Sequence, residues 1–502
     1  MRIVHPRLAV SIAVVGALLA GCAGDSGDAR PPSTAATPSS SAPSSIVVTP
    51  APTTTTTVVL PEAVPIEWDD CGGGLDCATL AVPIDYADPG IGTMELALVK
   101  RPAGDPAQRI GTLLMNPGGP GASGVRRVTR GFTLSDEVAR RFDIVGFDPR
   151  GVGQSTPITC GAAVPAFRAL DLAPDTPEET AALAAAAEAV ADECEASEGD
   201  RLGHLGTTEV VHDVEVIRRA IGEPQISFVG LSYGTLIGLR WAEAYPASVR
   251  ALVLDGVVDP AAGGSTTSPA QVDGVDASLD AIDAACTADA ECPLLGAGGI
   301  HAAYDELARR IEAQETSGEG VGPTQLAYAA FYATYDAEYW PRLWSAIATG
   351  LEGDLAGVAA MADSFTSLVP YAPFALITCL DGPHVTGFDE WAGESRLLGR
   401  ASPRFAEILG NELLPCAFWP EGIGTPDEVS APGTPPILVI GSTGDAATPY
   451  DQAVRVARAL AEGVLLTVDI AGHVAIGDSP CATEAATRYL VDLVPPAPGA
   501  RC

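Results

Sequence analysis

Short apolar runs alternate with segments of helical period over residues 78–259 and again over 434–494, and between those stretches the alternation stops. The runs Thr112–Met115, Ile226–Val229, Pro436–Ile440 and Val464–Ile470 have the length of strands and are too short for helices. Strands separated by helical segments predict an α/β fold, a mostly parallel central sheet covered on both faces. From 260 to 432 Ala-rich helical segments dominate, among them 302–313 and 324–350, with the aromatics Tyr328, Phe331, Tyr332, Tyr335, Tyr339, Trp340 and Trp344. A helical stretch between two halves of one sheet reads as an inserted cap, its aromatics expected mainly in the cap's own core. The expected division is a core at 62–259 and 433–502 and a cap at 260–432.

The first residues follow a different pattern. Arg2 and Arg7 precede an apolar run from Leu8 to Leu19, which ends in Leu19-Ala20-Gly21-Cys22. This has the form of a signal peptide, residues 1–21, with a lipobox, and resembles bacterial lipoproteins in which the cysteine becomes the lipidated first residue; an ordinary secretory leader with an incidental cysteine is the alternative. The run is shorter than the roughly 18 to 20 apolar residues of a permanent span, so a lipid on Cys22 is the expected membrane anchor. Residues 22–61 are rich in Ser, Thr, Pro and Ala, a composition that cannot bury a core and suits a disordered tether. The expected location is extracytoplasmic.

Cysteine usage fits export. Apart from Cys22 there are ten: Cys71, Cys77, Cys160, Cys194, Cys286, Cys292, Cys379, Cys416, Cys481 and Cys502. None forms a C-x-x-C pair, so five disulfides are expected rather than a metal site. Spacing alone does not fix connectivity, but pairing neighbours in sequence is the simplest scheme, and it clips the last helix to the C-terminus through Cys481 and Cys502. The net charge of −36, from 64 acidic and 28 basic residues, excludes nucleic acid as a partner, because such a surface repels phosphates. No cofactor is expected.

The chemistry centres on Gly230-Leu231-Ser232-Tyr233-Gly234, a G-x-S-x-G where a strand-like run meets a helical pattern. It reads as a nucleophile elbow, whose flanking glycines avoid a collision in a strained turn. A serine needs a histidine base, and the histidine needs a carboxylate. His473 stands in a loop after the strand-like 464–470, and Asp445 in a loop after 436–440. The order Ser232, Asp445, His473, each at a strand's carboxyl end, is that of the alpha/beta hydrolases. Asn116-Pro117-Gly118-Gly119-Pro120-Gly121 follows another strand-like run and supplies a candidate oxyanion donor, with the Tyr233 amide as its partner. A rival reading takes Gly119 to Gly124 as a G-x-G-x-x-G fingerprint with Asp143 or Asp148 on a ribose, but a lone fingerprint is a weak signal.

Several further stretches carry a resemblance. They are Trp68 to Cys71, Cys77 to Tyr86, Asn116 to Gly121, Phe147 to Gly153, the elbow, Cys379-Leu380-Asp381, Cys416 with Trp419, and the D-x-x-T-P pattern of Asp445, Thr448 and Pro449. In this order they resemble the tripeptidyl aminopeptidase-like alpha/beta hydrolases, secreted actinobacterial serine exopeptidases related to proline iminopeptidases. The resemblance implies Ser232 as nucleophile, Asp445 as acid, His473 as base, and Gly119 and Tyr233 as oxyanion donors. It also implies peptide substrates with free N-termini and a carboxylate to pair with the substrate ammonium, for which Asp336, Glu338 and Asp381 are candidates. Val474 departs from the family pattern, which usually has glycine after the histidine. An esterase or lipase on the same scaffold and a non-catalytic surface binding protein are the other classes to separate.

Overall fold

Nine strands form one sheet: β1 (Asp69–Gly72), β2 (Leu75–Pro83), β3 (Thr93–Arg101), β4 (Gly111–Asn116), β5 (Phe142–Phe147), β6 (Ile226–Leu231), β7 (Val249–Asp255), β8 (Ile437–Ser442) and β9 (Gly463–Val468). The computed structural model describes residues 58–262, 269–314, 320–400, 402–420, 422 and 427–502. The leader, Cys22 and nearly all of the tether lie outside the described residues. The strand order is β1-β2-β3-β5-β4-β6-β7-β8-β9. From β5 through β9 neighbouring strands run parallel, and β1, β2 and β3 join as an antiparallel edge.

Successive residues of the central strands point to opposite faces, and both faces are covered. Leu114, Phe228, Leu252 and Val439 pack on one side, and Leu113, Val229, Val253 and Leu438 on the other. That is why these strands read as unbroken apolar runs rather than as alternating ones. Crossover helices such as Thr207–Ile221 and Tyr233–Ala244 do the covering.

Between β7 and β8 the described chain forms helices and their connections, with no strand of the sheet. The single helical segment read over 324–350 is interrupted. Helix Pro323–Thr334 ends before Tyr335, Asp336 caps the short turn Ala337–Tyr339, and a second helix runs Trp340–Leu351 with Pro341 in its first turn. The Asp336 carboxylate accepts the Glu338 N–H at 2.8 Å, so a side chain competes for the backbone where the helix would otherwise continue. The aromatics divide as well: Tyr328 and Trp344 are buried, and Tyr332 stacks on Tyr339 with centroids 4.5 Å apart.

The ten cysteines pair as neighbours in sequence, 71 with 77, 160 with 194, 286 with 292, 379 with 416 and 481 with 502. No helix among the described residues is long and apolar enough to cross a membrane.

Candidate active site

Ser232 stands between β6 and helix Tyr233–Ala244 with φ 54° and ψ −127°, a conformation that side-chain-bearing residues rarely adopt. The flanking glycines are required by contact. A Cβ on Gly230 would lie 2.4 Å from the Gly234 carbonyl oxygen, and one on Gly234 would lie 2.5 Å from the Asn116 carbonyl oxygen. The strained turn is pinned by the Ser232 N–H, which donates to the Asp255 carbonyl at 2.9 Å, and by Thr235, whose hydroxyl donates to the Ser232 carbonyl at 2.6 Å.

Asp445 and His473 follow β8 and β9, parallel neighbours in the sheet, which brings the two loops side by side. His473 Nδ1 lies 3.0 and 2.9 Å from the two Asp445 oxygens. Asp445 is in turn held by Thr448, whose N–H donates to Oδ1 at 2.8 Å and whose hydroxyl donates to Oδ2 at 2.9 Å. Burial opposes the imidazolium, but the charge of Asp445, its hydrogen bond and the charge of Asp255 outweigh that and hold the His473 pKa above its ordinary value. The imidazole rests on Gly256, where a Cβ would come within 3.0 Å of its Cε1. Gly256 adjoins the residue that binds the Ser232 N–H. With Nδ1 committed to Asp445, Nε2 is the nitrogen left to take a proton.

Tyr335, at the break in the cap helix, touches His473 directly. Its carbonyl accepts the His473 N–H at 2.9 Å, its ring packs edge-on to the imidazole at 5.4 Å, and a Cβ on Gly472 would come within 2.9 Å of the same carbonyl.

The glycine loop after β4 lies against the elbow. A Cβ on Gly118 would meet the Leu231 carbonyl at 2.5 Å and the Tyr233 nitrogen at 3.2 Å, which sets the peptide after Gly118 beside Tyr233. Among the described residues neither the Gly119 nor the Tyr233 N–H has an acceptor. Two free donors beside a serine are what an alkoxide forming on a bound carbonyl requires. The Tyr233 side chain is fixed by a relay: its hydroxyl meets Thr207 Oγ1, and Thr207 donates its hydroxyl and its N–H to Asp381, each at 2.6 Å.

Ser232, Gly119 and Tyr233 line a cavity of about 690 Å³, together with Phe331, Tyr335 and Phe365 of the cap. Leu236, Arg240 and Ala244 continue its wall along one face of the elbow helix. Of the lining residues, Thr208, Ala244 and Ala262 are exposed, whereas Phe331, Thr334 and Glu412 are buried.

Of the three acidic residues expected at a substrate amino terminus, Asp381 lines this cavity. Asp336 and Glu338 do not: Asp336 turns its carboxylate onto the backbone, and Glu338 is exposed. Glu412, which the sequence reading missed, does line it. Burial pushes the Asp381 carboxyl up to about 6, against the pull of its Thr207 bonds, and burial also raises Glu412. Arg168, placed over the rings of Tyr328 and Tyr371, reaches Glu412 Oε1 only at 3.4 Å. That is longer than a strong charge-assisted bond, so Glu412 keeps capacity for a second cation.

A separate buried cluster surrounds Arg150, in the stretch Asp148 to Gly153. Arg150 forks onto Asp213 at 2.8 and 2.6 Å and donates to the carbonyls of Ile84, His204 and Pro83, while the Tyr86 hydroxyl donates to Asp213 at 2.8 Å. Nearby, Asp85, His204 and Glu209 bring potential metal-ligand atoms within 4.8 Å of one another. None of these three lines the cavity of Ser232. Asp143 and Asp148, the ribose candidates of the rival reading, are committed within the protein. Asp143 accepts from Ala103 and Arg109, and Asp148 from Ser123, Val125 and Gln154.

A strand-to-helix serine, with a bonded Asp–His pair at the ends of the last two parallel strands, defines a serine hydrolase. Residues 111–480 match the alpha/beta hydrolase fold, and the chain belongs to that family, in its tripeptidyl aminopeptidase-like branch. It is 35% identical over 483 residues to Serine protease Hip1 of Mycobacterium tuberculosis, covering 87% of this chain and 91% of the relative. It is 31% identical over 461 residues to Carboxylesterase B of the same organism, covering 85% and 86%. To Tripeptidyl aminopeptidase of Streptomyces lividans it is 30% identical over 461 residues, covering 85% and 84%.

Proposed function

We propose that this serine hydrolase is an exported, lipid-anchored exopeptidase that releases short peptides, tripeptides foremost, from free N-termini. The observation that carries the reading is the pair of carboxylates, Asp381 and Glu412, in the wall of the cavity that holds Ser232. A protonated amino terminus is the cation such a wall selects. A blocked terminus offers Asp381, which is held by the neutral donors of Thr207, no cation in return for its desolvation, and that penalises the wrong substrate. An extended tripeptide spans about 10 Å, and a cavity of about 690 Å³ has room for one. Relatives named for protease and tripeptidyl aminopeptidase activity support the peptidase reading. Five disulfides and the lipobox at Cys22 support export.

In the reaction Ser232 Oγ attacks the scissile carbonyl while His473 Nε2 takes its proton. The Gly119 and Tyr233 amides receive the negative oxygen, and His473 returns the proton to the leaving amine. Water, activated by the same imidazole, then releases the acyl group. Asp445 holds the imidazole in the required tautomer and stabilises its charged form.

A relative named Carboxylesterase B makes ester hydrolysis the second reading. One kinetic comparison separates the two, using Ala-Ala-Ala-p-nitroanilide, its N-acetylated form and p-nitrophenyl butyrate. Strong preference for the free tripeptide is the expected result. Ester cleavage indifferent to a free amino terminus would establish the esterase instead, and failure of a fluorophosphonate to label Ser232 would leave a binding protein.

A further inference from the structure

Asp255 ends β7, is fully buried, and touches both halves of the machinery. Its carbonyl oxygen accepts the Ser232 N–H at 2.9 Å. Its carboxylate Oδ2 accepts two consecutive backbone amides just after the base, Ala475 at 2.9 Å and Ile476 at 2.7 Å. Between His473 and those amides stands Val474, with φ 73°. A β-branched residue in the left-handed region is an outlier, and it persists only where surrounding contacts over-determine it. Two hydrogen bonds to an ionised carboxylate, on the two residues that follow, are contacts of that kind.

The other oxygen, Oδ1, is buried without a hydrogen-bond partner among the described residues. A half-satisfied buried carboxylate is a costly way to cap a strand, and a smaller polar residue would leave less unsatisfied. What an aspartate adds is reach to the base loop and negative charge behind the imidazole. Gly256, the next residue, supplies the floor on which the imidazole lies.

We infer that Asp255 is a positioning residue for His473: it clamps the left-handed turn at Val474, so that the imidazole stays aligned with the elbow, and its charge supports the imidazolium beside that of Asp445. The inference rests on the reading of His473 as the general base. One main chain and one side chain then set the nucleophile and the base from a single residue.

The test uses Asp255→Asn, which keeps shape and loses charge, Asp255→Ala, which loses both, and each combined with Val474→Gly, which relieves the turn. In Asp255→Ala, kcat on the free tripeptide anilide should fall about a hundredfold, the size of effect a misplaced catalytic group produces, while KM stays within about twofold. Val474→Gly in that background should recover part of the loss, because glycine adopts the turn without a clamp. In Asp255→Asn the His473 imidazole, followed by NMR, should titrate at lower pH than in wild type. Of the groups facing it, Asp445, Thr448, Tyr335 and Asp255, only Asp445 would remain charged.

An unchanged kcat with an unchanged imidazole titration would overturn the inference, as would a loss confined to melting temperature with no recovery through Val474→Gly. Should Asp255→Ala fail to fold, the asparagine variant and its Val474→Gly partner give the same answer. The NMR titration also reads Asp255 against His473 without turnover, so failure of the peptidase reading stays distinguishable from failure of this one.

Discussion

Two buried carboxylate pairs in this molecule, one with an arginine and one with a histidine, are built alike and finished differently. In the Arg150–Asp213 pair all five guanidinium N–H groups have acceptors, two on Asp213 and three on carbonyls, and Tyr86 adds a further donor to Asp213. Around the Asp445–His473 pair the accounting stays open. Among the described residues Gly119 and Tyr233 hold amides without acceptors, Asp255 Oδ1 and Asn116 Nδ2 are buried without partners, and Ser232 and Val474 carry positive φ. A saturated cluster can only hold the chain together. An unsaturated, strained one has capacity left for a reacting group, and its cost is carried by the sheet beneath it.

The sharpest break of this contrast is Ser232→Ala. It should lower kcat by about a million-fold while leaving the denaturant midpoint at its wild-type value, read by anilide release and urea unfolding. Arg150→Met should do the reverse. It strands Asp213 in the core and should cost about 3 to 5 kcal/mol of stability, with near-normal kcat in the fraction that remains folded. Arg150→Met with Asp213→Leu should recover much of that cost, because no unpaired charge is left.

Smaller effects test the open cluster from within. Thr448→Val removes the hydroxyl donor to Asp445 while keeping the volume, and should lower kcat about tenfold at constant KM, the worth of one hydrogen bond to a charged group. The pH dependence is smaller still and has two parts. As the proposed base His473 must be neutral to act, and its pKa is raised, so the acid limb of kcat should lie above the ordinary imidazole value. Asp381 must be ionised to hold an ammonium and titrates at about 6, so KM for a free tripeptide should rise as pH falls through that value. KM for p-nitrophenyl butyrate should not follow it.

The legible parts of this molecule are those carried by local pattern. Ile226 to Gly234 announces a strand, a turn and a helix within nine residues, because steric exclusion at Gly230 and Gly234 leaves few alternatives. Asp445 and His473 could be nominated because each follows an apolar run of strand length. Glu412 could not. It lies in the turn just past helix Ala406–Asn411, where no motif marks it, and only the approach of Arg168, 244 residues away, shows where its carboxylate sits. Asp255 was silent for the same reason, since an aspartate at a strand end is ordinary until Ala475 and Ile476 arrive 220 and 221 residues later. Asp336 was misleading because its acidity serves a backbone turn, and that turn brings Tyr335 onto His473. Arg150 and Asp213 are separated by 63 residues and belong to no motif that names them as a pair.

The bond between Cys379 and Cys416 closes a loop of 37 residues, and both cavity carboxylates lie inside it, Asp381 just past one end and Glu412 just before the other. On the proposed reading, the distance from which substrate length is gauged is therefore set by an oxidation event, whereas the nucleophile and its base are set by the sheet. A chain still in a reducing cytosol would carry a competent serine and a slack gauge, and oxidation would calibrate it. Preparations from reducing and oxidising hosts would then differ in what they cut before they differ in how fast they cut it.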